Sequence, residues 1–195
     1  MKIAFFDFDG TITKEDSTIK FIRYMVGDIK FFIGVFLLLP VIILYKIKII
    51  SNNLIKQIIM TYFFKGKDIM SFQKKSEYFS LNEIDPIIRK KALERIYWHR
   101  ENGHIIVIVS ASVDLWLKPW CEKNNIILIA TMLEIKDKII TGKTFKKNCY
   151  GPEKVKRIQE LYSLSDYKYI YAYGNSRGDR EMLNIANEKY YKPFI

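Results

Sequence analysis

The chain opens with a short unbroken apolar run, KIAFF at residues 2–6, that stops abruptly at Asp7 and predicts a buried strand. From residue 17 apolar positions recur every three or four residues, with Ser17 as N-cap and Gly27 as stop, which predicts a helix. Residues 28–84 carry no strand alternation and predict several more helices. Asp85-Pro86 then sets up a helix to about Asn102, with Asp85 as N-cap, Pro86 at the first position and Gly103 closing it. After that the rhythm changes. HIIVIVS at 104–110 is a continuous β-branched run of the kind buried on both faces of a parallel sheet. A helix from about Ser112, a strand IILIA at 126–130 and a hairpin over 133–142 follow. Pro152 opens a helix through Leu161, KYIYAYG at 168–174 is another strand, and a helix starts at about Gly178.

Strands alternating with helices predict an α/β fold with a doubly wound parallel sheet. Its catalytic core is expected over residues 1–13 and 85–195. Residues 14–84 form an insertion of about 70 residues, too long for an ordinary loop and read as an all-helical lid or cap.

With 195 residues, 49% hydrophobic and 27% charged, the chain fits one domain with an insertion and is not disordered. Its net charge of +11 comes mostly from scattered lysines, without the basic stripe or aromatic-basic motif of a nucleic-acid binder. The charge favours anionic substrates or an acidic membrane surface. Cys121 and Cys149 lack zinc-site spacing, and with no signal-peptide pattern a reduced, cytoplasmic setting is expected. Residues 31–45 (FFIGVFLLLPVIILY) are uncharged for 15 positions, short of the roughly 20 that a span needs. Pro40 interrupts them and Lys30 and Lys46 flank them. The expectation is a buried helical hairpin; peripheral contact with the inner membrane surface is the alternative.

In open α/β sheets ligands bind beyond the carboxyl ends of the strands. Those ends carry Asp7, Asp9 and Thr11, then Ser110 and Ser112, then Gly174, Asn175, Ser176 and Asp179. Helix capping accounts for any one cluster and poorly for three at one edge. The set suits phosphoryl transfer with Mg²⁺, which takes carboxylate, carbonyl and phosphate oxygens. Asp7, Asp9, Asn175 and Asp179 are the candidate metal ligands. An aspartate can attack phosphorus, a second acid two residues on can shuttle the proton, and a hydroxyl and a lysine can hold the phosphate.

DFDGT at 7–11, the strand ending in Ser110, Lys154 in GPEKV and GNSRGD at 174–179 resemble, in order and spacing, the four motifs of the haloacid dehalogenase superfamily. The helical insertion after the first motif resembles the phosphoserine-phosphatase-like subgroup. The resemblance implies a Rossmannoid core and an aspartyl-phosphate mechanism. Asp7 would be nucleophile and metal ligand. Asp9 would be the general acid/base, binding Mg²⁺ through its carbonyl, while Ser110 and Lys154 would hold the phosphate. Thr11 and Asp16 join the candidate substrate contacts, Asp16 at about the place where phosphoserine phosphatases carry an acid that grips the substrate amine. Arg23 could meet a second anionic group. Asn175 departs from the family's usual aspartate, which implies weaker metal binding or more reliance on Asp179.

The expected activity is a magnesium-dependent phosphomonoester hydrolase acting on a small organic phosphate. A phosphatase for a lipid-like phosphate, with Lys46, Lys48 and Lys56 near anionic head groups, and a phosphotransferase are the alternatives. A signalling receiver domain fits poorly, because its acceptor aspartate belongs on a later strand that ends here in Ser110.

Overall fold

The computed structural model covers residues 1–195. In chain order the elements are β1 (Lys2–Phe6), α1 (Ser17–Val26), α2 (Asp28–Lys46), α3 (Asn52–Phe64), α4 (Ile69–Glu83), α5 (Lys90–Glu101), β2 (Ile105–Val113), α6 (Asp114–Lys123), β3 (Ile127–Thr131), β4 (Leu133–Lys136), β5 (Ile139–Thr144), α7 (Pro152–Leu161), β6 (Tyr169–Gly174), α8 (Arg180–Asn184) and β7 (Glu188–Tyr191). Five strands make one parallel sheet in the order β3-β2-β1-β6-β7, and β4-β5 form a separate antiparallel hairpin.

The continuous apolar runs follow from this placement. Alternate residues of the central strands point to opposite faces, and both faces are covered. Ile3, Phe5, Val107, Val109, Ile170 and Ala172 pack with Ile158 of α7 and Met182 and Leu183 of α8. Ala4, Phe6, Ile106, Ile108 and Tyr173 face the other way, into a core shared with Ile96 of α5 and with Trp116 and Trp120 of α6. The fold is an α/β doubly wound parallel sheet. β7 was not expected from the sequence: its EKYY pattern alternates half-buried and exposed residues, and it sits at the sheet edge, where charges are tolerated.

Four helices, α1–α4, lie between β1 and the 85–195 segment. The chain leaves and re-enters the sheet region along two adjacent segments. Lys14 N donates to Ile87 O at 2.8 Å, and Arg89 N donates to Ile12 O at 2.8 Å. This pairing explains one departure from expectation. Asp85-Pro86 form only a single 3₁₀ turn over Asp85–Ile87, because Ile88 is drawn into an extended bridge to Thr13, and α5 starts at Lys90. Asp85 is no helix cap; its carboxylate takes Trp120 Nε1–H at 2.6 Å and Lys123 Nζ at 2.9 Å.

Two smaller shifts bear on the site. Asp16, not Ser17, caps α1, accepting from Ile19 N at 3.0 Å. β2 runs on to Val113 instead of ending at Ser110, so Ser112 is held by the sheet edge and not at a helix start.

The largest correction concerns residues 31–45. They form no hairpin and are not buried: α2 is one 19-residue helix with Pro40 inside it. Gly34 and Pro40 are its only turn-prone residues; Gly34 stays helical, and Pro40 alone does not reverse the chain. Gly34 lets α2 approach α3 closely, since a Cβ there would stand 2.5 Å from the Phe63 ring. Within α2 only Gly34 and Leu38 are buried, while Ile29 is 78% and Phe36 74% exposed.

Candidate active site

β1 delivers Asp7 to the carboxyl edge of the sheet, where its backbone N–H donates to Tyr173 O at 2.9 Å. The next turn is extended at Asp9 and left-handed at Gly10 (φ +76°), a conformation that favours glycine. This turn swings Asp9 back beside Asp7 in a cavity of about 410 Å³, which Lys154, Asn175, Ser176, Asp179 and Ser112 also line.

Asp7 is buried and fully partnered. Its Oδ1 accepts from Lys154 Nζ at 2.7 Å and its Oδ2 from Thr11 Oγ1 at 2.9 Å. Lys154 stands in the first turn of α7, positioned by Gly151 (φ +61°) and Pro152. Its ammonium also donates to Asp179 Oδ1 at 2.7 Å and to Val109 O at 2.6 Å. Burial opposes its charge, but Asp7 and Asp179 outweigh burial and raise its pKa above the ordinary lysine value. Burial, only partly offset by Lys154, lifts Asp7 to about 6.

Asp9 has different company. Oδ1 accepts from Ser17 N at 2.6 Å and Oδ2 from Ser112 Oγ at 2.5 Å, with no cation in direct contact. Burial first, then the neighbouring Asp16 charge, pushes its carboxyl up to about 7. Two carboxylates two residues apart thus have opposite surroundings. Asp7 is pinned to a lysine, whereas Asp9 is hydrogen-bonded only by neutral groups and poised to carry a proton at neutral pH.

Asp179 closes the third corner. Its Oδ2 accepts from Asn175 N at 3.1 Å, Ser176 N at 2.9 Å and Ser176 Oγ at 2.8 Å, so both its oxygens are occupied. Burial works to raise its pKa, but Lys154 and Ser176 hold it below the ordinary value. Asn175 has the opposite character: its Oδ1 is buried without a partner.

That lone oxygen tests the fit of a cation. No three acid, histidine or cysteine side chains converge on one point, so a carboxylate cage is absent. An oxygen set of Asp7, the Asp9 carbonyl and Asn175 nevertheless suits Mg²⁺, which takes few protein ligands and keeps waters. The residues fit the ion, with one formal charge fewer than an aspartate at 175 would give. Asp179 offers it only Oδ1, the oxygen that Lys154 holds at 2.7 Å just as it holds Oδ1 of Asp7.

Of the remaining sequence candidates, Asp16 lines the cavity from the end of α1. Ser110 and Thr11 do not: Ser110 is buried and accepts from Ser112 N at 3.0 Å, and Thr11 is turned onto Asp7. Arg23 lies away from the cavity, paired with Asp28 at 2.8 Å on the surface. Sequence reasoning gave no role here to Thr18, Asn148 or Tyr150, all of which line the cavity. Lys56 of α3, noted only as a cation for head groups, reaches in to donate to Thr18 Oγ1 at 3.3 Å. Nothing in the local sequence marks these residues; tertiary packing brings them in. Ile19, Ile22, Ile55, Ile59 and Met60 give the cavity an apolar side.

The model of the family described as haloacid dehalogenase-like hydrolase matches residues 4–184, and the chain belongs to that family of enzymes. It is 33% identical over 191 residues to Protein CicA of Caulobacter vibrioides, a match covering 97% of this chain and 85% of that protein. A Bordetella pertussis Tohama I protein of unknown function superposes with a TM-score of 0.84 at 19% identity, over 97% of this chain and 89% of that one. A phosphoserine phosphatase in a phospho-aspartyl intermediate analogue form gives 0.69 at 16% identity, over 97% and 85%. The two superpositions show the shared fold.

Proposed function

We propose that this member of the haloacid dehalogenase-like hydrolase family is a magnesium-dependent phosphomonoester hydrolase working through an aspartyl-phosphate on Asp7. The observation that carries the reading is the unequal treatment of the two acids: Lys154 lies 2.7 Å from Asp7, while Asp9 has only neutral hydrogen-bond partners and a carboxyl pushed up to about 7.

A carboxylate oxygen of Asp7 attacks phosphorus as the bond to the ester oxygen breaks, and protonated Asp9 gives its proton to the departing alkoxide. Asp9, now a carboxylate, takes a proton from the water that attacks the acyl-phosphate, releasing phosphate and regenerating Asp7. Lys154 offsets charge on the phosphoryl oxygens, and the hydroxyl of Ser112 and the N–H of Ser17 keep the Asp9 carboxyl aimed. Asp7, the Asp9 carbonyl and Asn175 would hold Mg²⁺, which when bound neutralises charge between the anionic nucleophile and the anionic phosphate. Asp179 is a positioning residue that keeps Lys154 and the Asn175–Ser176 backbone in place.

Residues 14–84 act as a cap over the core of 1–13 and 85–195, joined to it by the paired segments around Thr13 and Ile88. In this reading Asp16, Thr18 and Lys56 meet the part of the substrate beyond the phosphate. The apolar wall of the cavity fits a substrate with a carbon skeleton larger than serine's.

The test is phosphate release from a panel of phosphomonoesters with Mg²⁺ and with chelator, using wild type and Asp7→Asn. The expected result is metal-dependent turnover that falls on the order of a thousandfold or more in the variant. Activity of Asp7→Asn within tenfold of wild type excludes the aspartyl-phosphate route.

A further inference from the structure

The outward stripe of α2 consists of Ile29, Phe32, Ile33, Phe36, Pro40 and Ile43, which share one face of the helix and are all exposed. The opposite stripe, through Gly34 and Leu38, is buried. A surface helix of a soluble protein ordinarily turns charged residues outward. This helix has none between Lys30 and Lys46. Contiguous exposed apolar surface of this kind marks a site of association.

We propose that the exposed stripe of α2 docks on an anionic lipid bilayer, with the helix lying in the interface. Charge decides in favour of the bilayer over a second copy of the chain. Lys30 stands next to Ile29 in the first turn, Lys46 closes the helix and Lys48 follows it, all exposed, where their ammonium groups reach anionic head groups while the apolar side chains enter the acyl boundary. The chain's net charge of +11 draws it to such a surface and sets two copies against each other. Contact is peripheral. α1 and α3 leave opposite ends of α2 yet meet at Thr18 and Lys56, so both ends stay on one side of the membrane. Tyr45, in the last turn of α2, lines the cavity that holds Asp7, so docking sets that cavity beside the head groups. The docking itself does not depend on the phosphatase reading.

Flotation with vesicles of phosphatidylcholine alone, and of phosphatidylcholine and phosphatidylglycerol in equal parts, tests it without any turnover. The comparison uses wild type and F32S/F36S/I43S, which keeps the charge at +11 and changes no residue of the cavity. Wild type floats with the anionic vesicles, and the variant, with unaltered melting and unaltered phosphate release from a soluble aryl phosphate, partitions about tenfold less or weaker still. Wild type left at the bottom of the gradient overturns the proposal. So does a variant that floats equally well, since charge alone then does the binding. A concentration-dependent dimer that disperses in the variant, with no vesicle binding by wild type, assigns the stripe to a second copy and overturns it too.

Discussion

Lys154 Nζ donates a 2.7 Å hydrogen bond to Asp7 Oδ1 across 147 residues of chain, and both groups are shielded from solvent. The same ammonium holds Asp179 at 2.7 Å, so one buried cation balances two buried acids. Lys154→Met leaves both acids without a cation, a change that costs about 3–5 kcal/mol when a buried pair is broken from one side. Urea unfolding of the variant is expected to give a stability lower by that amount, and Asp179→Asn added to it should recover part of the loss. An unchanged urea midpoint for Lys154→Met would refute the balance described.

Gly10 and Asn175 are the second such relationship. A Cβ on Gly10 would stand 2.2 Å from Asn175 Nδ2, at a residue whose φ of +76° already disfavours a side chain. Gly10→Ala therefore displaces the amide whose Oδ1 is the unpartnered oxygen of the site. Its half-saturating magnesium is expected to rise about tenfold or more, with overall stability lowered by about 1 kcal/mol for the forced backbone. Asn175→Asp should move the metal requirement the other way, because it adds a charge within a few ångströms of the ion. Magnesium titrations of turnover read both shifts, and a wild-type requirement in the low micromolar range would contradict the weak donor set.

Both histidines of the chain lie in one aromatic cluster with Phe6 of β1 and Tyr171 and Tyr173 of β6. His99 Nδ1 meets His104 Nδ1 at 2.8 Å, and His99 Nε2 meets the Tyr173 hydroxyl at 2.8 Å. Burial, then the charges of His104 and Arg95, hold His99 down at about 3. Unfolded, it titrates near 6.5, so between those values the unfolded chain binds the extra proton. The contribution of neutral His99 is thus complete above about pH 6.5 and declines as pH falls toward 3, by up to about 1.4 kcal/mol per unit. Asp7 and Asp9, whose folded values are raised, act with the opposite sign over part of this range. The informative quantity is the difference between wild type and His99→Gln. Stability difference measured by urea at pH 7.5 and pH 5 should shrink at the lower pH; a constant difference would mean that His99 does not resist protonation.

Much of the sheet and its chemistry could be read from sequence because buried parallel strands are continuous apolar runs, and acids at their ends have no packing reason to be there. Asp7, Asp9 and Asn175 announced themselves as polar groups at strand ends, Lys154 only through the resemblance of GPEKV to a family motif, and the structure gathers all four in one cavity. The roles of Thr11 and Ser110 depend on side-chain direction, which strand periodicity does not encode beyond one face or the other. α2 was misjudged for a related reason. Apolar composition signals removal from water without saying whether protein or another phase removes it, and a hairpin buried in the cap was the expectation that exposure of Phe36 overturned. β7 escaped notice because an edge strand of four residues with two charges has no apolar run to detect.

Lys56 supplies the last test, directed at the helical insertion. It reaches from α3 into the cavity, donates to Thr18 Oγ1 at 3.3 Å, and shares that space with Asp16 and Asp9. Burial lowers its pKa, and the Asp16 and Asp9 carboxylates counter the effect without cancelling it. A cation with one neutral hydrogen-bond partner, facing a cavity that must admit an anion, is suited to a second polar or anionic group of the substrate. That contact is made in the ground state as much as in the transition state, so its loss belongs in KM. Lys56→Met is expected to raise KM about tenfold or more for substrates bearing such a group, the loss of one charge-assisted hydrogen bond, with kcat within about threefold. A simple aryl phosphate, lacking the group, should show no change in KM. If kcat falls instead for both substrates, Lys56 acts on Asp9 and not on the substrate, and the division of labour between cap and core has to be redrawn.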